Sequence, residues 1–80
     1  MKDGYIVANK EQEFNVLKKL EQDGFKWYDR DLPTKFIFSE GILFSGFPYI
    51  ISEYKDIGWI GWAYYSDDYG GNIVYDGRKE

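Results

Sequence analysis

An α+β fold, with one helix packed on a small antiparallel sheet, follows from three features of this sequence. Residues 10–23 place apolar side chains near helical spacing between a capping asparagine and a glycine. Residues 4–8 and several runs after Phe25 are rich in β-branched and aromatic residues and are punctuated by Gly and Pro. The chain has only 80 residues, so a single domain spanning 1–80 is expected, with element order β-α-β-β-β(-β).

Each element has its own local reason. Residues 4–8 form a short β-prone run that Asn9 can stop. Asn9 followed by Gln12 resembles an N-cap with a capping-box partner, and Glu11 and Glu13 sit in the first turn, where the helix dipole favours acids. Phe14, Val16, Leu17 and Leu20 then make the expected buried stripe, and Gly24 is placed to end the helix in a left-handed conformation. Phe25 and Trp27 alternate with Lys26 as in a strand, and residues 28–34 form a loop around Pro33. Residues 35–39 read as a strand with Phe36 and Phe38 on one face, and residues 42–44 begin another after the Glu40-Gly41 turn. Residues 49–54 suit either a strand or a short helical turn. Residues 58–65 have strand composition with an interior glycine, Gly61, which suggests a bulge or the close approach of a partner's backbone or a flat ligand. A loop of acids and glycines follows, then an edge strand at 72–75 and a frayed end at 76–80.

Composition excludes several kinds of chemistry. There is no cysteine, hence no disulfide or thiolate, and no histidine, hence no His-dependent triad and no usual base near neutral pH. Asp67, Asp68 and Asp76 are near in sequence but match no calcium-loop spacing, so no metal and no cofactor is expected. No phosphate-binding glycine motif is present, and a chain this short can hardly build a cleft between two catalytic carboxylates, so no enzyme activity is expected. No apolar run is long enough to span a membrane and no export signal opens the chain, which points to the cytoplasm.

Charge and aromatic content point towards binding. The net charge of −4 resides wholly in residues 36–80, where seven acids face three bases, so direct nucleic-acid binding is disfavoured and a basic partner is favoured. Six Phe, eight Tyr and three Trp make 21% of the chain. In a strand over 59–65, Trp59, Gly61, Ala63 and Tyr65 share one face, and Ile60, Trp62 and Tyr64 share the other. One helix covers only one face, so the rings are either core or a contact surface. The candidate contact residues are Trp59, Trp62, Tyr64, Tyr65, Asp67, Asp68 and Tyr69, with Glu53 and Asp56 as peripheral charges. On that expectation Trp62→Ala abolishes partner binding and leaves unfolding nearly unaltered.

The run Glu11-Gln12-Glu13-Phe14, Leu17, Leu20-Glu21 and Gly24-Phe25-Lys26-Trp27 resembles small accessory proteins of Gram-positive phages and prophages. These open with a strand, continue through an E-E-F-x-x-L-x-x-L helix and leave it at G-[FY]-x-W. The resemblance covers residues 4–54, and the tail from Trp59 to Tyr69 has no counterpart in it. It implies a mobile-element context in a bacterial host, in which short accessory proteins act on host machinery; with the acidic, ring-rich second half, the expectation is an anti-defence inhibitor that binds a host protein with a basic surface, for example as a nucleic-acid mimic of the anti-CRISPR kind. The alternatives are a protein that sequesters a nucleotide signal between stacked rings and a homodimeric structural or regulatory domain.

Overall fold

The computed structural model describes residues 2–29, 31–67 and 69–80. The α+β class is as expected: strand β1 (Lys2–Val7), helix α1 (Lys10–Gln22), then β2 (Lys26–Trp27), β3 (Tyr49–Tyr54), β4 (Trp59–Tyr64) and β5 (Asn72–Asp76). The five strands form one sheet in the order β2-β4-β3-β1-β5. The sheet is mixed rather than antiparallel throughout. The central pairs β1–β3 and β3–β4 are antiparallel, whereas the outer pairs β1–β5 and β2–β4 are parallel.

Helix α1 starts and stops where the sequence directs. The Asn9 side chain accepts the Gln12 N–H at 2.9 Å, and Gln12 returns its side-chain oxygen to the Ala8 N–H at 2.8 Å. At the other end Phe25 N–H donates to Leu20 O and Gly24 N–H to Glu21 O, the two bonds of a Schellman motif. Gly24 sits at φ +92°, a conformation that carries a steric penalty for any residue with a Cβ. The buried stripe is Glu13, Val16, Leu17 and Leu20, a full i, i+3, i+4, i+7 set. Phe14, expected in that stripe, is about half exposed. A carboxylate takes the place the phenyl ring was expected to hold.

The core lies between α1 and one face of the sheet, where Tyr5, Val7, Tyr49, Ile51 and Ile60 meet Leu17, Leu20, Trp27 and Phe38. Residues 35–39 and 42–44, expected as strands, are not strands. The chain forms 3₁₀ turns at Pro33–Lys35 and Phe38–Glu40 and an open loop thereafter. The reason lies in where the backbone donors go. Thr34 donates its N–H and hydroxyl to Glu21, at 3.1 and 2.6 Å, and Ser39 donates both groups to Glu13, at 3.0 and 2.6 Å. The Trp27 indole N–H is shared between Pro33 O and Phe36 O, at 3.1 Å each. Groups that would pair with a neighbouring strand are instead bound to the helix and to an indole.

Residues 49–54, left open by the sequence, are the central strand β3. Gly61 is no bulge, because the pairing Glu53↔Ile60, Ser52↔Gly61, Ile51↔Trp62 runs unbroken through it. The irregularity falls instead between Gly4 and Tyr5 on β1. The end of the chain, expected to fray, forms a 3₁₀ turn at Gly77–Lys79. Asp76 accepts two bonds from the Arg78 guanidinium, at 2.8 and 2.6 Å, which holds its carboxyl down to about 2. Gln12 Nε2 donates to Gly77 O at 2.9 Å, tying this turn to the start of α1. Among the described residues no helix is long and apolar enough to cross a membrane.

Two buried phenols should govern alkaline stability. Burial, then the hydrogen bond to Glu53 and its charge, push Tyr5 up from 10.0 to about 12. Burial and the Glu13 carboxylate push Tyr49 higher still. A folded-state pKa above the unfolded value means stability that is whole below pH 10 and lost as pH rises through 12. Ultraviolet titration should therefore show Tyr5 and Tyr49 ionising last, together with loss of the circular dichroism signal, and all phenols ionising in one step before the fold is lost would contradict this.

Candidate functional site

The proposed contact residues do not form one face. Register places Trp62 and Tyr64 on the α1 side of β4, and Trp59 on the far side. Trp62 stacks on Phe38 with ring centroids 4.1 Å apart and meets Tyr64 edge-on at 5.1 Å, so it is in good part a packing residue. Tyr65 lies beneath the Arg78 guanidinium, 4.2 Å from its ring centre, and donates its hydroxyl to Asp67 at 2.8 Å. Tyr69 folds over β1, where a Cβ on Gly4 would meet its ring at 2.8 Å, and its hydroxyl shares a 2.8 Å hydrogen bond with Ser52. Burial raises its phenol above the ordinary value. Asp56 is exposed in the turn after β3, and Asp68 lies outside the described residues.

Glu53 corrects the expectation of a peripheral charge. It is buried on the α1 side of β3, where its carboxylate accepts the Tyr5 hydroxyl at 2.8 Å. The period-2 alternation from Tyr49 and Ile51 puts position 53 on the core side, and Tyr5, diagonally across on β1, supplies the donor that makes burial tolerable. Other acids are also engaged: Asp3 pairs with Lys55 at 3.0 Å, Asp23 with Lys19 at 3.0 Å and Asp76 with Arg78 at 2.6 Å. The negative surplus is therefore not arranged as a continuous row of free carboxylates. Among the described residues no three acids group as a metal site.

A partly enclosed concavity lies elsewhere. A cleft of about 280 Å³ opens beside the short edge strand β2, walled by Trp27, Phe36, Phe38 and Trp62, with Tyr28 and Asp29 at its rim and the Gly41–Leu43 loop as its lip. Trp27 and Phe36 meet edge to face at 5.5 Å, and the shared indole hydrogen bonds hold Phe36 in position. The lip is strongly apolar and lies open. Ile42 has a relative exposure of 101% and Leu43 of 62%. The Tyr64 hydroxyl donates to Leu43 O, which tethers the lip to the sheet. Among the described residues Asp29 is the only charged group in the lining.

Of the residues singled out from the sequence, only Trp62 lines this cleft, with Tyr64 acting through its tether. Tyr28, Phe36, Ile42 and Leu43 were missed. The available signal was Ile42-Leu43 directly after the Glu40-Gly41 turn, two large aliphatic residues without the alternation of a half-buried strand. Comparisons with protein-family models, with curated proteins and with solved structures return no match.

The cleft generates two expectations. Trp62→Ala should destabilise the fold by about 3 kcal/mol, because it strips the stacking partner from Phe38. A thermal midpoint lowered by about 10 °C or more would show this, and an unchanged midpoint would mean the ring is dispensable to the core. Tyr64→Phe should cost no more than about 1 kcal/mol globally, while hydrogen exchange quickens in the Gly41–Leu43 lip. Unaltered exchange there would show that the tether does not restrain the loop.

Proposed function

We propose that this chain is a non-enzymatic binding protein that docks a partner with a basic surface, seating one cationic side chain in the aromatic cleft and laying Ile42 and Leu43 against the partner. The observation that carries this reading is the pairing of a fully exposed Ile42 and a largely exposed Leu43 with a cleft whose only charged lining group, among the described residues, is Asp29. Fully burying two such side chains is worth about 1.5–3 kcal/mol each, which gives a small protein a docking anchor of useful size. At about 280 Å³ the cleft falls just short of the ~300 Å³ at which ligand pockets begin, so it suits one side chain. Ring faces beside one carboxylate favour a lysine or arginine over an anion or a neutral group.

The resemblance of residues 4–54 to phage accessory proteins suits an inhibitor of a host defence or nucleic-acid-handling protein, acting in the cytoplasm of a bacterial host. The geometry favours anchoring by apolar and aromatic groups over imitation of a phosphate row, since Glu13 and Glu53 are buried and Asp3, Asp23 and Asp76 are paired. Binding should then weaken only mildly with salt. A steep salt dependence would instead favour the mimic.

The decisive comparison is affinity capture of host proteins by the native chain and by a double variant, Ile42→Ser with Leu43→Ser. Both side chains are exposed, so the variant should unfold within about 0.5 kcal/mol of the native chain. A basic protein captured by the native chain and lost with the variant supports the reading. Equal capture by both removes the lip from the interface.

A further inference from the structure

We propose a second site, on the sheet face away from α1: a planar heteroaromatic anion of the nucleotide class stacks over Gly61 beside Tyr54 and Trp59, with Lys26 binding its phosphate. Strand register brings these groups together. Tyr54 on β3 is opposite Trp59 on β4, and Trp59 is beside Lys26 on β2, so all three project from the same face in one row. Ser52 and Gly61 form the adjacent row. A groove of about 320 Å³ runs over this point, lined by Tyr28, Tyr54, Ile57, Trp59 and Gly61.

Gly61 makes the floor flat. A Cβ added there would meet only Tyr54 Cε2, at 3.6 Å, so packing within the chain does not require a glycine. The backbone is also continuous in register, so no bulge requires one. An interior glycine weakens a strand, and what this one provides is bare backbone beside the Tyr54–Trp59 pair. The rest of the far face is treated differently: Tyr69 covers Gly4, where an added Cβ would clash at 2.8 Å. Tyr54, whose ring edge reaches to 3.6 Å from the Gly61 Cβ position, Trp59 and Tyr28 stay 39%, 39% and 63% exposed around this floor.

The chemistry of the occupant follows from the walls. Three rings around a flat floor select a planar aromatic group, which stacks without needing specific hydrogen bonds. Charge selects an anion, because among the described residues no carboxylate lines the groove and Lys26, the neighbour of Trp59, has no ion-pair partner. In the turn beyond Tyr54, Lys55 is paired with Asp3 at 3.0 Å and Asp56 is exposed, outside the groove lining. A single lysine and a net charge of −4 suit one phosphate and oppose a polynucleotide. The two sites share Tyr28 and Trp62, but Ile42 and Leu43 line only the other cleft, so the docking variant separates them.

Tryptophan fluorescence of the intact chain, titrated with adenosine monophosphate, adenosine and inorganic phosphate, tests the proposal. Adenosine monophosphate should quench saturably, adenosine more weakly, and phosphate alone not at all. Trp59→Leu and Gly61→Val should each weaken binding, measured by equilibrium dialysis, by about tenfold or more. Lys26→Glu should weaken adenosine monophosphate and leave adenosine unchanged. Circular dichroism reports whether each variant is folded, and Trp59→Leu, at a half-exposed position, keeps the test open should Gly61→Val not fold. The Ile42→Ser, Leu43→Ser variant should bind the nucleotide as the native chain does. No saturable quench at millimolar nucleotide, or equal binding by the Trp59→Leu variant, would overturn the proposal.

Discussion

The Glu13 carboxylate is the constraint on which the arrangement depends. It is fully buried in the first half of α1 and accepts three hydrogen bonds, from Ser39 N–H, Ser39 hydroxyl and Tyr49 hydroxyl. An ionised carboxylate left alone in such a place would cost several kcal/mol, so its burial is tolerable only with all three donors present. Those donors come from the irregular segment and the central strand, which are thereby fixed to the helix in one geometry. Eight residues further along α1, Glu21 holds Thr34 in the same two-bond manner at the protein's surface. Two acids on one helix thus lay residues 34–39 along it. That placement carries Phe38 into the core and leaves Phe36 and the 41–43 loop to build the cleft.

A second acid follows the same logic. Glu53 is buried against the Tyr5 hydroxyl, so each core carboxylate is matched to a tyrosine from another element. Among the described residues no buried side-chain polar atom lacks a partner. Some of the acids that composition assigns to the surface are therefore internal structure, and several of the rest are paired with Lys or Arg. Net charge describes the chain's long-range field. It does not say which carboxylates are free to touch a partner.

Much of the helix was legible in the sequence, because caps and terminators act over three or four residues. Asn9, Gln12 and Gly24 do what local chemistry asks of them. The stripe was misread at one position, since a search for apolar residues passes over Glu13 although 13, 16, 17 and 20 have the better spacing. Residues 35–44 were misread for a related reason. Phe36 and Phe38 alternate as in a strand, but their backbone answers to acids far off in sequence. Parallel pairing of β5 with β1 and of β2 with β4 has no local signature at all. The division of residues 59–64 between two faces was legible, as period 2 alone decides it.

The surplus of rings finds its explanation in that division. A sheet with a single helix has one face closed by α1 and another that the chain must close with whatever remains. Here Tyr69 folds back onto Gly4, and the cover extends over β1 and the near part of β3. It does not extend to β4 and β2, where Tyr54, Trp59 and Tyr28 stay exposed. On the α1 side the helix stops short of the sheet's β2 edge, and Phe36, Phe38 and Trp62 line a cleft there in place of a second helix. Both openings lie at the β2 edge, a strand of only two residues, and Tyr28, just past its end, borders each of them. Lengthening β2 would pair that edge further and cover the rings. Its brevity leaves aromatic surface open on both faces of the sheet at once.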